Sequence, residues 1–365
     1  MSSSEIEAAS SVLASQWAGF GNIVNTFEDK FSEKQGVPNF LLVDSGSNAL
    51  FLAVRLLDLP KNSEIILPSF TWVACAQAVA MAGLRPVFCD VDLITMNVSA
   101  ADIEEKITPN TSAIMIVHYA GLCVDVDSLR EFGLPIIEDA AHAVSSKLRQ
   151  QPAGTLGDIG IFSFDAVKNL SMVEGGGMSF RNPELYTRAK SLRYCGMGKS
   201  GFDSAANSTG NDERPWWEYN IGYNSIKALP NNLHAAIGLV QLSRLDELQA
   251  RRKQIWDYYI ERLTGHPEIH LPVGCEDPHS AHSYFTFCIR CSKRDSLAKY
   301  LLARNIYTTL RYHPLHMNEI FADGSSSLKN TEILNKEALS IPLHPRLTDF
   351  ECEEVVSAIL AFYKD

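Results

Sequence analysis

The sequence has no long apolar run, no excess of positive charge and no recognisable secretion signal. None of its apolar segments approaches the roughly 18 residues that a transmembrane helix requires. Its 365 residues include 32 Lys and Arg against 43 Asp and Glu, a net charge of −11, which argues against a nucleic-acid partner because such partners need a basic face. The first residues lack the charged and apolar regions of a signal peptide. We therefore expect a soluble cytoplasmic protein with no membrane span.

Paired cysteines and metal-binding patterns are also missing. The eight cysteines are scattered and lie mostly inside apolar stretches, as is typical of buried thiols in a reducing compartment. Cys288 and Cys291 form a CxxC, but no second pair accompanies them. His313 and His316 have no carboxylate-rich segment nearby. We therefore predict neither a disulfide framework nor a metal site.

Short apolar runs alternate with helical segments through the first two-thirds of the chain. The runs occupy residues 39–43, 64–67, 85–89, 113–117 and 134–137. Such unalternating runs between helices are typical of an α/β fold whose mostly parallel sheet is covered by helices on both faces.

The last third of the chain predicts a smaller α+β domain. A long helical segment over residues 233–254 precedes it, and we place the boundary there, giving a large domain 1–245 and a small domain 246–365. Residues 199–218 are polar and glycine-rich, which predicts a mobile loop.

The first polar motif joins a strand to a helix. Asp44, Ser45, Gly46, Ser47 and Asn48 follow the strand at residues 39–43. Their backbone amides and hydroxyls would stand at a helix N-terminus, which is a site suited to an anion. A plain helix cap without a ligand fits the same residues.

The second motif ends a buried strand on two acids, Glu138 and Asp139, with His142 close behind. Ligands bind at the carboxyl edge of parallel sheets. A carboxylate there could hold the protonated ring nitrogen of pyridoxal phosphate, which makes that ring an electron sink. Capping of a helix by Asp139 is the alternative.

The third motif places Lys168 after another apolar strand and a polar turn that contains Ser163. A lysine in a pocket loses proton affinity and becomes an amine nucleophile able to form a Schiff base. Ser163 could donate to a phosphate. Trp72, which follows the strand at residues 64–67, could stack on an aromatic ring or pack in the core.

In this order, the motifs resemble those of the DegT/DnrJ/EryC1/StrS family, sugar aminotransferases within the fold-type I pyridoxal phosphate enzymes. The resemblance extends over nearly the whole chain. The matching segments include residues 17–19, 27–28, 45–50, 68–74, 86–92, 138–142, 157–158, 162–164, 168–170, 174–176, 222–224, 235–238, 241–242 and 341–343.

The resemblance implies a role for each residue of a cofactor site. Lys168 would be the Schiff-base lysine and the catalytic proton shuttle, and Asp139 would pair with the pyridine nitrogen. Trp72 would stack on the ring, and His142 would stand near the ring hydroxyl. The residues implied to bind the phosphate are Gly46, Ser47, Asn48 and Ser163.

The resemblance also implies partners. Asn224 would reach the phosphate of a neighbouring subunit, so that the chain would form a homodimer with shared active sites. The residues implied to meet the sugar are Trp17, Tyr312, His313 and His316. After Asn224 the chain departs from the family pattern, with Ser225, Ile226 and Lys227 in place of Tyr-Arg-Met.

The activity implied is transfer of an amino group, expected to come from L-glutamate, to a keto group of a nucleotide-linked deoxysugar. Alternatives are a cyclitol or another keto substrate, a pyridoxamine-dependent sugar dehydrase, and a non-catalytic regulator that binds the cofactor. Lys168 favours transamination, because dehydrases of the family carry His at that position.

Overall fold

A computed structural model of the chain describes residues 1–198, 219–322 and 327–364. The predicted loop at residues 199–218 therefore lies outside the described residues. The strands are β1 (Leu41–Val43), β2 (Glu64–Pro68), β3 (Arg85–Cys89), β4 (Thr111–Val117), β5 (Ile136–Asp139), β6 (Lys147–Leu148), β7 (Gln151–Pro152), β8 (Ile159–Ser163), β9 (Gly176–Phe180), β10 (Phe287–Arg290) and β11 (Ala338–Ile341). The helices are α1 (Ser3–Ala14), α2 (Asn22–Gln35), α3 (Gly46–Leu56), α4 (Ala74–Met81), α5 (Ala100–Glu104), α6 (Asp127–Arg130), α7 (Pro183–Leu192), α8 (Asn232–Ser243), α9 (Leu245–Leu263), α10 (Arg294–Leu302), α11 (Lys329–Glu337) and α12 (Asp349–Phe362).

Seven of these strands form one sheet in the order β1-β9-β8-β5-β4-β2-β3. Strands β3, β2, β4, β5 and β8 run parallel to one another, while β9 pairs antiparallel with both β8 and β1. The predicted mostly parallel sheet is thus confirmed. Strand β9 was not predicted because it begins with glycines, which weaken strand propensity. Gly176 is required by a close approach, since a Cβ there would collide with the backbone of Ser45 and Gly46.

Apolar side chains alternate between the two faces of this sheet, as strand geometry dictates. On one face, Ile65 packs in a cluster with Leu52 of α3. On the other face, the next residue, Ile66, packs with Ile103 of α5. Because both faces are covered, the strands need apolar residues at every position, and this produces the continuous apolar runs of the sequence.

A separate apolar cluster occupies the C-terminal part of the chain. The antiparallel pair of β10 and β11 contributes Phe287 and Ile341, and helices α9, α10 and α12 contribute Ile255, Leu297 and Val356 among others. This arrangement agrees with the predicted smaller α+β unit. Among the described residues, no helix combines the length and apolar character needed to cross a membrane.

The single long helix predicted over residues 233–254 is wrong, because the chain forms α8 and α9 with a break at Arg244. Arg244 leaves helical geometry at φ −101° and ψ 3°, and its guanidinium lies 3.4 Å from Glu5 and 3.6 Å from Glu247. Leu245 then packs with the aromatic residues of α2, whereas Ile255 packs in the C-terminal cluster. The domain boundary near residue 245 stays a prediction.

Candidate active site

The polar motifs found in the sequence meet at one edge of the sheet. Strand β5 ends at Asp139 and its parallel neighbour β8 ends at Ser163. The turn after β8 carries Lys168, whose amide donates to the carbonyl of Asp165 at 3.0 Å. These three side chains therefore stand at the carboxyl ends of adjacent parallel strands, where ligands bind in folds of this class.

Lys168 is held against an aromatic surface at the wall of a large cavity. Its Nζ lies 4.9 Å from the ring centroid of Phe285, and both residues line a cavity of about 1530 Å³. Burial lowers the pKa of Lys168 to about 8, although the nearby Asp139 carboxylate acts in the opposite direction. A lysine with this pKa is neutral in a useful fraction of molecules near neutral pH and can act as a nucleophile.

The Asp139 carboxylate is fixed from two sides. The Cys75 thiol donates to Oδ2 at 3.1 Å, and the Ala141 amide donates to Oδ1 at 2.9 Å. Burial, with the Asp139 charge beside it, raises the pKa of Cys75 well above its usual value, so this thiol keeps its proton and remains a donor. A buried carboxylate oriented in this way suits a protonated ring nitrogen.

His142 has one ring nitrogen without a partner. Its ring stacks on Phe285 with centroids 4.0 Å apart at 15°, and its Nε2 lies 3.0 Å from the Tyr312 hydroxyl. Its Nδ1 is buried and has no hydrogen-bond partner among the described residues. Burial lowers the pKa of His142 well below its usual value, so the ring is neutral. An unpaired buried nitrogen calls for a missing partner, and a bound cofactor would supply one here.

Trp72 is an exposed aromatic residue beside Tyr312. About half of its side chain is exposed, 53%, and its ring centroid lies 5.5 Å from that of Tyr312 at an interplanar angle of 55°. Of the two interpretations that the sequence left open, core packing is excluded by this exposure. Stacking on a cofactor ring stays a prediction.

The start of α3 and the end of β8 form a cradle for an anion. Ser45 caps the helix by accepting from the Asn48 amide at 3.2 Å. Helix geometry leaves the preceding amides, those of Gly46 and Ser47, without acceptors inside the helix. A Cβ on Gly46 would lie 2.9 Å from Cβ and 3.1 Å from Oγ of Ser163, so the helix start rests directly on that hydroxyl. Two amides, a hydroxyl and the helix dipole suit a phosphate.

Asn48 is the phosphate-binding candidate with the least support. Its backbone N–H already donates to the Ser45 hydroxyl. Its side-chain nitrogen donates to both carboxylate oxygens of Asp44, at 2.9 and 3.0 Å. These bonds give Asn48 a structural role at the helix start. Contact with a phosphate stays a prediction for this residue.

Two of the four residues predicted to meet the sugar are histidines that make hydrogen bonds of their own. His316 is half-buried, and its Nδ1 lies 2.6 Å from Oγ of Ser69, three residues before Trp72. His313 is exposed, with its Nδ1 3.2 Å from Oδ1 of Asn335. The structure therefore brings His316 to the edge of the sheet that carries Trp72, and places His313 beside α11.

Trp17 and Asn224 are exposed, and both are far in sequence from the strand ends that form the site. The indole nitrogen of Trp17 donates to the Phe20 carbonyl at 2.9 Å, just before α2, and 54% of its side chain is exposed. Asn224 follows an exposed segment of the chain. The predicted contacts of Trp17 with a sugar and of Asn224 with a neighbouring subunit stay predictions.

Sequence reasoning missed Phe285, Arg311 and Cys75. The Arg311 guanidinium lies 5.2 Å from the Phe285 ring centroid, and its positive charge helps to lower the pKa of Lys168 and of His142. Arg311 could have been found from the sequence, because it is next to Tyr312, which was predicted to meet the sugar. Phe285 could not have been found, because nothing around it in the sequence differs from an ordinary core strand.

A buried hydrogen-bond network around Glu138 supports the end of β5. Glu138 is fully buried and accepts from His118 Nε2 at 2.8 Å, from the Gly154 amide at 2.8 Å and from the Gly157 amide. His118 Nδ1 accepts the Val124 amide at 3.0 Å, which leaves Nε2 as the protonated nitrogen that donates. The network fixes the residue next to Asp139.

Comparisons with known proteins agree with one another. The model of the DegT/DnrJ/EryC1/StrS aminotransferase family matches residues 1–360. The dTDP-4-dehydro-2,3,6-trideoxy-D-glucose 4-aminotransferase of Saccharopolyspora spinosa is 39% identical over 359 residues, which is 96% of this chain and 92% of that protein.

Solved structures give the same result. The aminotransferase TlmJ of Streptoalloteichus hindustanus superposes with a TM-score of 0.92 at 36% identity, over 100% of this chain and 97% of that one. Spr1654 of Streptococcus pneumoniae, assigned as a sugar aminotransferase, gives a TM-score of 0.91 in its PMP form and 0.90 in its PLP form. Both comparisons show 25% identity and cover 100% of this chain and 97% of that one.

Proposed function

The chain belongs to the DegT/DnrJ/EryC1/StrS aminotransferase family, and from this premise we propose that it transfers an amino group from L-glutamate to C4 of a dTDP-linked 4-keto deoxysugar. Aminotransferase activity and dependence on pyridoxal phosphate follow from the family and its solved members. The substrate is proposed from the Saccharopolyspora spinosa relative, which acts on dTDP-4-dehydro-2,3,6-trideoxy-D-glucose. The observation that carries the proposal is Lys168, a desolvated lysine facing the cavity beside the fixed carboxylate of Asp139.

The residues at the strand ends fit the cofactor. When bound, pyridoxal phosphate would be held through the amine of Lys168 and would supply an electron sink for the chemistry at the substrate carbon. The Asp139 carboxylate would keep the ring nitrogen protonated. The amides of Gly46 and Ser47 and the hydroxyl of Ser163 would hold the phosphate.

Lys168 would also move the protons of the reaction. Its Nζ, neutral in part near pH 8, would take the proton from the α-carbon of the donor. The same nitrogen would later deliver a proton to the sugar carbon that receives the amino group. General acid–base catalysis of this kind contributes roughly 10²–10⁴-fold to the rate.

Replacement of the lysine tests this assignment. Lys168→Ala should abolish turnover while the circular dichroism spectrum and the melting temperature stay close to those of the wild type. Lys253→Ala is a matched control, because Lys253 is an exposed lysine that pairs with Asp257 on the surface of α9. Normal turnover by the Lys168→Ala variant would contradict the proposal.

A substrate panel separates the proposed sugar from its alternatives. With glutamate as donor, we expect the fastest amination with dTDP-linked 4-ketosugars, slower amination with 3-ketosugar nucleotides, and none with an inosose. A preference for the inosose would instead assign a cyclitol substrate. Release of water from a deoxysugar nucleotide without amino transfer would assign a dehydrase.

We also propose a homodimer in which Asn224 of one subunit completes the phosphate site of the other. Asn224 is exposed, and a phosphate held by the first amides of α3 could accept a hydrogen bond from a further donor. If the sites are shared, mixing and reassociating inactive Lys168→Ala and Asn224→Ala proteins should restore roughly a quarter of wild-type activity, because half of the dimers then contain one intact site. No recovery after verified subunit exchange would contradict shared sites. The cytoplasmic location stays a prediction.

A further inference from the structure

Two hydrogen bonds in series connect the segment before Trp72 to the carboxylate of Asp139. The Thr71 hydroxyl lies 3.5 Å from the sulfur of Cys75, and the Cys75 thiol donates to Oδ2 of Asp139 at 3.1 Å. The side chains of Thr71 and Cys75 are both buried. We call this series of contacts the thiol relay. It links the start of α4 to the end of β5, across 64 residues of sequence.

The direction of both bonds in the thiol relay follows from the charge of the carboxylate. An ionised carboxylate only accepts hydrogen bonds, so the proton between Cys75 and Asp139 belongs to the thiol. Burial, with the Asp139 charge beside it, raises the pKa of Cys75 well above its usual value, which keeps that proton in place. Because this proton points to Asp139, the sulfur must accept from the Thr71 hydroxyl.

The Asp139 carboxylate keeps acceptor capacity for a ligand. Its two oxygens offer about four acceptor sites. The Cys75 thiol uses one site on Oδ2, and the Ala141 amide uses one on Oδ1 at 2.9 Å. Because the two donors approach different oxygens, they restrict rotation of the carboxylate group. The remaining sites can therefore accept from a pyridine N–H in a fixed orientation.

Packing alone is the alternative role for Cys75. Its side chain belongs to the apolar cluster on one face of the sheet, and buried cysteines commonly act as small apolar residues. Cys89 offers a comparison, because it is equally buried. It lies in the cluster on the other face of the sheet, at the end of β3, which is three positions from β5 in the strand order.

We propose that Cys75 is a positioning residue for the cofactor, and that the thiol relay orients the Asp139 carboxylate toward the pyridine nitrogen. The inference rests on the proposed function, because it assumes that Asp139 pairs with that nitrogen. Cys75 would touch neither the substrates nor the reacting atoms. It would act only through the orientation of Asp139.

The S–H stretching band of the protein without cofactor tests the hydrogen bonds directly. Thiols absorb in an infrared region that other protein groups leave nearly empty, and a hydrogen bond from the thiol lowers the frequency of the band. The difference spectrum between the wild type and Cys75→Ser isolates the band of Cys75. When Asp139→Asn is added to both proteins, we expect this band to move to higher frequency, because a neutral amide oxygen is a weaker acceptor than a carboxylate. Thr71→Val should move it in the same direction by less, because the two bonds strengthen each other.

Cofactor affinity tests the consequence for the site. In an absorbance titration with pyridoxal phosphate, we expect Cys75→Ala to bind roughly 3- to 10-fold more weakly than the wild type, the effect of losing one hydrogen bond. Cys75→Ser should recover most of this loss, because its hydroxyl can donate to Asp139. Packing alone predicts similar losses for both variants, since Ala and Ser are close in size. Cys89→Ala is the matched control, and we expect a similar loss of stability in urea with unchanged cofactor affinity.

The outcomes separate this inference from the proposed function. A thiol band that does not move in Asp139→Asn would overturn the inference, as would equal cofactor affinities of Cys75→Ala and Cys75→Ser. If no amino acid converts the wild-type holoenzyme, the proposed transamination fails. The infrared and affinity measurements would still decide the role of Cys75, because neither depends on turnover.

Discussion

The titration of Lys168 in the protein without cofactor is a quantitative prediction of the site. Burial lowers the pKa of this lysine to about 8 from the usual 10.5. At pH 7, about one molecule in ten would then carry the neutral amine, against roughly one in 3000 for an ordinary lysine. We expect labelling of Lys168 by a small amine-reactive reagent, followed by mass spectrometry of its peptide, to rise with a midpoint near pH 8. Lys253, whose partner Asp257 raises its pKa, provides an internal control with a higher midpoint.

Two variants test how neighbouring charges modify the pKa of Lys168, because the two charges act with opposite signs. The Arg311 charge lowers the pKa of Lys168 and the Asp139 charge raises it, so Arg311→Met should move the midpoint upward and Asp139→Asn should move it downward. The unfolded chain binds more protons than the folded chain between pH 8 and 10.5, so Lys168 also makes the protein without cofactor more stable as pH rises through that window. A wild-type midpoint near 10.5, or shifts of the same sign in both variants, would refute the reasoning.

Two further predictions concern the support of the site. Gly46→Ala puts a methyl group 2.9 Å from Ser163 Cβ, so we expect weaker cofactor binding in an absorbance titration and a loss of about 1–3 kcal/mol in urea unfolding. In Gly274→Ala the added methyl group meets no atom within 4 Å, so we expect neither cofactor binding nor stability to change. Equal behaviour of the two variants would contradict the proposed phosphate site at the start of α3. Glu138→Gln removes the buried charge that accepts from His118 and should lower the free energy of unfolding by about 3 kcal/mol. An unchanged urea midpoint would show that this network does not hold β5.

The strand ends of the site could be predicted from the sequence because their signals are local. A buried parallel strand produces a continuous apolar run, and the polar residue that ends it must lie at the ligand-binding edge of the sheet. This logic located Asp139, Ser163 and Lys168, and the structure confirms their common edge. The helix start at Gly46 followed in the same way, because the polar motif at residues 44–48 predicted a helix N-terminus there.

The remaining residues of the site are brought together by contacts between segments that are far apart in the sequence. Phe285 stacks on His142, more than 140 residues earlier in the chain, and Arg311 reaches the same ring. Cys75 donates to Asp139, 64 residues away. No pattern of composition or spacing encodes such pairs, because they arise only when the C-terminal segments fold back onto the sheet. The break at Arg244 was hidden because Leu242, Leu245 and Glu247 around it favour a helix.

The absorption spectrum of the purified protein, before and after addition of L-glutamate, tests the central claim most directly. The account predicts a yellow band from the lysine-bound cofactor, conversion of that band to the pyridoxamine form by glutamate, and no lysine-bound band in the Lys168→Ala variant. The absence of any band after incubation with pyridoxal phosphate would contradict a working cofactor site. A band that no amino acid alters would contradict transamination.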